Sequence, residues 1–295
     1  MTTTRTDLWP WRRIFVVGLL LWVLSVVVTA VTGNSTLLPT VVLLGSFLVP
    51  VTFVAWATGR DTAPAFTLAR VAEAFVVGGV LGVLAASLLE QYLLSPSAWM
   101  YLGVGLIEEL VKALALVFVA RGLTRYTMRD GLVLGASVGF GFAAFESAGY
   151  ALNSLITVQG LSLPQLVETE LLRGILAPVG HGLWTAILGA VLFAAHHEHQ
   201  RWRITRGVVL TYLGVTILHA LWDGMHGIAL LLVMALTVTR RQQLLLQLGY
   251  LPEPTGLQVH LFTLFNWVGL IVVAVLGLAG LSALRHRVEG ADGPR

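Results

Sequence analysis

Long apolar stretches constrain this chain more than any other feature. Runs of about 20 apolar residues, the number a helix needs to cross a bilayer core, follow one another along most of the sequence. Only 11% of the residues are charged, whereas soluble domains carry about 25%, so these runs cannot be solvated by water. Soluble enzyme folds are therefore excluded, and the chain is predicted to be an integral membrane protein.

The apolar runs predict an all-α fold, a polytopic transmembrane helical bundle of eight or nine spans with a polar intramembrane cavity. The number of spans stays open because the apolar segment 207–239 is too long for one upright transmembrane helix and short for two full spans. We assign a single integral membrane domain over 1–295, with a motif-bearing core at about 98–230 and a disordered tail over 288–295. The predicted spans are 14–31, 37–57, 71–90, 98–120, 131–156, 174–195, 207–226, 226–239 and 257–284.

Basic residues in the connections predict the orientation of the bundle. With a cytoplasmic N-terminus, most arginines fall in cytoplasmic loops, as the positive-inside rule requires. The alternate loops hold Glu90, Glu168 and Glu170 with Arg173. This placement explains the net charge of +3 without a nucleic-acid partner. The cytoplasmic arginines are Arg60, Arg70, Arg121, Arg125, Arg129, Arg201, Arg203 and Arg206.

The fourth predicted span carries three ionisable residues, Glu108, Glu109 and Lys112. Ionisable groups inside a membrane are costly and are usually retained because they work. On a helix Lys112 can reach either glutamate, so an ion pair with Lys112 explains why one of the two glutamates is found inside a membrane span. The second carboxylate is then available as a general acid or base. We favour Glu108 for this role because its spacing of four residues to Lys112 suits a held carboxylate.

Three further spans contribute polar groups of the same kind. A lone membrane histidine usually hydrogen-bonds a neighbour, but four helices that each supply such groups indicate a functional site. His219 and Asp223 are four residues apart, so the aspartate can orient the imidazole. The groups are Glu146 and Tyr150 in the fifth span, Arg173, His181 and Trp184 in the sixth, and His219, Trp222 and Asp223 in the seventh.

Several familiar motifs are absent or misleading. Residues 135–139 read G-x-S-x-G, but a nucleophile elbow needs a strand-to-helix turn of a soluble fold. Glycines four apart, Gly135 with Gly139 and Gly78 with Gly82, instead predict close helix packing. The chain has no H-E-x-x-H pattern, no P-loop and no cysteine, and Asp223 alone cannot form an aspartyl dyad.

Four short motifs together resemble the PrsW family of bacterial intramembrane proteases, which is related to CAAX prenyl-proteases and bacteriocin-processing membrane proteases. PrsW-like proteins usually have asparagine where this chain has Ser147. The resemblance implies an integral protein of the bacterial inner membrane that cleaves a membrane-associated protein, such as a single-span anti-sigma factor in signalling. The motifs are Glu108-Glu109-x-x-Lys112, Phe142-x-x-x-Glu146-x-x-x-Tyr150, Arg173 with His181-x-x-Trp184, and His219-x-x-Trp222-Asp223.

We predict that Glu108 or Glu109 activates a water for attack on a peptide carbonyl. His181 and His219 would then assist proton transfer or stabilise the oxyanion. Glu146 would be a second acid or a polar anchor. The predicted catalytic residues are Glu108, Glu109, Glu146, His181 and His219, supported by Lys112, Tyr150, Arg173, Trp184, Trp222 and Asp223.

Two alternatives remain open at the level of sequence. His181, His219 and a glutamate match the ligands of a zinc site with an open water position, so a zinc-dependent reaction stands beside a metal-free one. A proton-coupled transporter or channel, or a non-catalytic scaffold, would also need buried charges, although no internal repeat supports a transporter. The expected partners are a membrane protein substrate and the lipid bilayer.

Overall fold

The computed structural model describes residues 10–59 and 67–291, with side chains to residue 284. These ranges are almost entirely helical, which confirms the predicted all-α class. The helices are α1 Pro10–Thr32, α2 Leu38–Thr58, α3 Leu68–Val76, α4 Gly82–Leu93, α5 Met100–Val119, α6 Met128–Leu155, α7 Leu163–Leu176, α8 His181–His199, α9 Arg206–Asp223, α10 Met225–Thr237, α11 Arg240–Gln247 and α12 Gly256–Ala291. A π-helical segment, Val77–Leu81, makes α3 and α4 continuous. A short hairpin of two strands, β1 Ile156–Thr157 and β2 Gly160–Leu161, follows α6.

The structure supports fewer clear membrane spans than the sequence predicts. Within the described ranges six helical stretches are long and apolar enough to cross a membrane. A seventh is gained if α9 and α10, which are bent by 60° where Gly224 separates them, form one span. The predicted eight or nine spans are therefore not matched by length and composition alone. The six stretches are Pro10–Thr32, Ser35–Thr58, Leu68–Leu93, Met128–Leu155, Leu163–His199 and Gly256–Leu284.

Two physical features explain the difference in span count. Helix α5 has 20 residues, but it carries Glu108, Glu109 and Lys112, which make it too polar for a span judged by composition. Helix α10 has 13 residues, which at 1.5 Å per residue cover about 20 Å of the roughly 30 Å hydrocarbon core.

Helix α6 lies at the centre of the bundle, and its residues 134–144 are all buried. Glycines allow α8 to approach it closely. A Cβ atom added at Gly135 would collide with the backbone of Thr185, and one at Gly139 with the carbonyl of His181. On another face of α6, a Cβ at Gly78 would collide with the backbone of Val138. The packing role predicted for these glycines is confirmed.

We expect Gly139→Ala to destabilise the protein by about 1–3 kcal/mol, because the new methyl group forces α8 away from α6. The same displacement would move His181, the first residue of α8. Thermal unfolding of the purified protein in detergent measures the effect. Gly149→Ala is the matched control, because Gly149 lies on the same helix with nothing within 4 Å of an added Cβ. Equal stability of the two variants would contradict this packing.

The remaining helices surround this centre. Helices α1 and α2 pack together and against α7, α2 also packs on α6, and α12 packs on α8, α9 and α10. Arg60, used above for orientation, lies outside the described residues. Helix α12 extends to Ala291, into the segment predicted to be a disordered tail, and residues 292–295 lie outside the described part of the chain.

Candidate active site

Polar side chains from four central helices converge inside the bundle. Helix α5 supplies Glu108 and Glu109, α6 supplies Glu146, α8 supplies His181 and α9 supplies His219. Both α5 glutamates and both histidines are at least nine-tenths buried. The five residues predicted from the sequence to be catalytic are therefore brought together.

The Lys112 ammonium joins α5 to α8. Its Nζ lies 2.7 Å from Glu109 Oε1, 3.3 Å from Glu108 Oε2 and 2.8 Å from His181 Nδ1. The ring of Phe142 lies 4.4 Å from the same nitrogen. The spacing of four residues predicts Glu108 as the held carboxylate, whereas the shorter contact with Lys112 is made by Glu109, at a spacing of three residues.

His219 shares with Lys112 the same oxygen of Glu109, Oε1. Its Nδ1 lies 3.0 Å from Glu109 Oε1, and its Nε2 lies 3.6 Å from Glu108 Oε2. Asp223 Oδ2 lies 3.1 Å from the same Nε2, an ion-pair contact when the imidazole is protonated. The imidazole therefore lies between Glu109 at Nδ1 and Asp223 at Nε2, and the orienting role predicted for Asp223 stays a prediction.

His181 bridges Lys112 and Glu146. Because an ammonium can only donate, Nδ1 accepts from Lys112, and Nε2 then carries the hydrogen that is donated to Glu146 Oε2 at 3.1 Å. Glu146 also accepts a hydrogen bond from Arg173 Nη2 at 2.5 Å. Each nitrogen of this imidazole therefore has a partner from a different helix.

Arg173 connects the site to its surroundings on α6. Its Nε donates to Ser147 Oγ at 2.7 Å, and its guanidinium lies over the Tyr150 ring at 4.3 Å. Ser147 departs from the pattern of PrsW-like proteins, which weakens any role carried over from their asparagine, but here its hydroxyl accepts a hydrogen bond from Arg173. Its spacing of one residue from Glu146 is the signal that could have placed it beside the same arginine.

Two tryptophans form an apolar wall against the histidines. The Trp184 ring lies 5.0 Å from the His219 ring and 5.5 Å from the His181 ring, and Trp222 packs edge-on against Trp184 at 5.9 Å. Trp184 is fully buried. Dense aromatic packing fixes the imidazole planes and restricts the space beside them.

The centre also has the composition of a metal site. Donor atoms of Glu108, His181 and His219 all lie within 4.8 Å of one another. Two imidazoles and a carboxylate are the protein ligands of many catalytic zinc ions. With neutral imidazoles, the carboxylates outnumber the cations by two in formal charge, which a divalent ion would balance. The carboxylates are those of Glu108, Glu109, Glu146 and Asp223, and the cations are Lys112 and Arg173.

A bundle of membrane-type helices that buries a cluster of glutamate, histidine and lysine side chains defines an integral membrane protein with a polar centre of the kind that intramembrane proteases use. Comparison with known proteins agrees. The family described as "PrsW family intramembrane metalloprotease" matches residues 11–248, and the chain belongs to this family. It is therefore a peptidase. Protease PrsW of Halalkalibacterium halodurans is 28% identical over 163 residues, which cover 53% of this chain and 70% of that protein. No solved structure matches the chain.

Proposed function

We propose that this peptidase hydrolyses a peptide bond of a membrane-associated protein at the centre formed by Glu108, His181 and His219. The observation that carries the proposal is the convergence of these side chains within 4.8 Å, surrounded by apolar helices. A single-span regulatory protein of the anti-sigma type is the proposed substrate, and its cleavage would act in signalling.

Glu108 is proposed to activate the hydrolytic water. It is 5% exposed, whereas Glu109 is fully enclosed and held by Lys112 and His219, which suits a positioning role. Glu108 Oε2 also faces both histidines. It would take a proton from the attacking water and return it to the amine that leaves when the peptide bond breaks.

His181 and His219 are proposed to hold the reacting groups in place. Hydrogen bonds from an imidazole would stabilise the negative charge that develops on the carbonyl oxygen. Glu146 and Arg173 would anchor His181 from the side opposite to Lys112. Outer hydrogen bonds of this kind fix the ring orientation of a functional histidine.

As the metal-dependent alternative, the same three side chains are proposed to hold a divalent metal ion, with Glu108 then a ligand instead of the base. Bound there, zinc would supply a Lewis acid and a water of lowered pKa. Glu109 would orient His219 and Glu146 would orient His181, the usual role of carboxylates behind ligating imidazoles. Lys112 would have to leave His181 Nδ1, while its contact with Glu109 at 2.7 Å could be kept.

We expect about one zinc ion per chain in the purified protein, and loss of that zinc in His219→Ala, because catalytic zinc has about three protein ligands. Elemental analysis after purification without chelators measures the content. Trp222→Phe is the control, since it alters the aromatic wall but no donor atom. Full cleavage activity from protein without metal would contradict the metal site. The metal-free reaction, with Glu108 as the base, would then be the remaining mechanism.

The proposed topology has eight spans. Helix α5 counts as a span because its 20 residues are about 30 Å long, and α9 with α10 counts as one bent span. The arginine-rich loops then place both termini in the cytoplasm of a bacterial cell. A green fluorescent protein fused to the C-terminus should fluoresce, whereas activity of a fused alkaline phosphatase would indicate an odd number of spans.

The function is tested by comparing new protein N-termini in membranes of cells that express the intact chain or its Glu108→Ala/Glu109→Ala form at matched levels. A terminus found only with the intact glutamates identifies a substrate and its cleavage site. If no terminus differs under several stresses, proteolysis of a membrane protein by these residues is rejected for those cells.

A further inference from the structure

A second buried carboxyl group lies outside the centre just described. Glu170, taken from the sequence as a loop residue, lies in α7 and is 4% exposed. One of its oxygens, Oε2, accepts a hydrogen bond from Trp22 Nε1 at 2.7 Å. The other, Oε1, has no hydrogen-bond partner among the described protein atoms. A buried polar atom without a partner costs about 1–3 kcal/mol, so a further group is expected beside it.

A small cavity lies next to this carboxyl group. It offers a volume of about 10 Å³ to water-sized molecules, which is room for about one water. Glu170, Ser46, Pro50, Ser147 and Arg173 line it. The cavity is therefore lined both by the unpartnered carboxyl group of Glu170 and by the arginine that holds Glu146.

The walls of the cavity supply the polar partners that a buried water needs. Ser46 Oγ is buried and has no hydrogen-bond partner among the described atoms. Pro50 has no N–H with which to bond the Ser46 carbonyl one turn earlier, so this oxygen also lacks its usual helical donor. Ser147 Oγ accepts from Arg173 and keeps its own hydrogen to donate. A buried water makes about two to four hydrogen bonds, which these groups provide.

We propose that this cavity binds one water molecule that joins Glu170 to Ser46 and Ser147, and that Glu170 thereby acts as a positioning residue for Arg173. From Ser147 the connection continues through Arg173 to Glu146 and so to His181. The catalytic consequence rests on the proposed function, whereas the water site does not.

A matched pair of variants separates this positioning role from a purely structural one, in which the Trp22–Glu170 hydrogen bond only holds α1 against α7. Glu170→Leu removes both the acceptor for Trp22 and the group that would bind the water, whereas Trp22→Phe removes only the hydrogen bond between the two helices. We expect Glu170→Leu to lower kcat about tenfold with KM unchanged, the lower range for loss of an outer hydrogen bond. Trp22→Phe should leave kcat unchanged, and Glu170→Gln, which keeps a polar group at both positions, should restore it. Equal losses in Glu170→Leu and Trp22→Phe would overturn the positioning role.

The water itself is tested without any substrate, on the full chain in lipid nanodiscs. Exchange of the Trp22 indole hydrogen with D₂O is followed by NMR and assigned with Trp22→Phe. Ser46→Val should slow this exchange about tenfold relative to Ser46→Thr, because the two side chains have the same shape but only threonine keeps the hydroxyl. Equal exchange in the two variants, or none in the unaltered protein, would overturn the water site. If no substrate is ever cleaved, the exchange result still decides whether water is bound.

Discussion

Glu108→Gln is expected to lower kcat for peptide cleavage by about 10²–10⁴-fold, the range for loss of a general base. Glutamine has nearly the same size and still offers an oxygen to Lys112, which lies 3.3 Å from the glutamate, so the fold should be kept. It cannot take a proton from water. The measurement is single-turnover cleavage of the substrate identified by its new N-terminus, with the purified variant at matched concentration.

The control for this prediction is Glu73→Gln. Glu73 is a partly exposed glutamate that pairs with Arg70 at the start of the third span, far along the chain from the α5 motif. Its replacement should change neither kcat nor stability. If Glu108→Gln retains more than about a tenth of the normal kcat, a loss smaller than any expected for a general base, Glu108 does not activate the water.

Lys112→Met is expected to lower the free energy of unfolding by about 3–5 kcal/mol, the cost of removing one partner of a buried ion pair. Methionine matches the length of the lysine stem but leaves Glu109 and Glu108 without their cation in a fully buried position. Most of the variant should therefore be lost to aggregation or degradation in cells. Thermal unfolding in detergent and size-exclusion chromatography measure the effect.

The double variant Lys112→Met/Glu109→Gln isolates the cause of that loss. Because it removes the charge that Lys112 neutralises most closely, it should recover a large part of the stability lost in Lys112→Met. It should remain inactive, since His219 then loses its charged acceptor. A double variant as unstable as Lys112→Met would assign the loss to packing against Phe142 rather than to unpaired charge.

Part of the arrangement could be predicted from the sequence because helical spacing places residues three and four apart on one face. Lys112 therefore reaches both glutamates, as expected. Spacing along one helix does not predict which of the two glutamates accepts a hydrogen bond from a side chain on a neighbouring helix. His219 on α9 contacts Glu109 through Nδ1, while Glu108 and Asp223 lie near its Nε2, and spacing on α5 alone does not give this arrangement.

The span count and Glu170 were harder to predict for related reasons. Apolar runs mark where α1, α2, α5 and α12 lie, but composition does not show the 60° bend between α9 and α10, which leaves the number of spans open. Glu170 was itself expected in a loop, and only the packing of α1 and α2 on α7 encloses it. A single sequence contains no direct record of such contacts between distant helices.

The hydrogen bonds of the centre also bear on how the protein is made. Lys112 on α5 meets His181 on α8, and Glu109 on α5 meets His219 on α9, so the contacts join segments that leave the ribosome at different times. A nascent chain has no complete centre until α9 has packed against α5. If the proposed residues carry the reaction, the enzyme would be inert until α9 is inserted, and neighbouring proteins that are still being inserted would not meet a half-assembled protease.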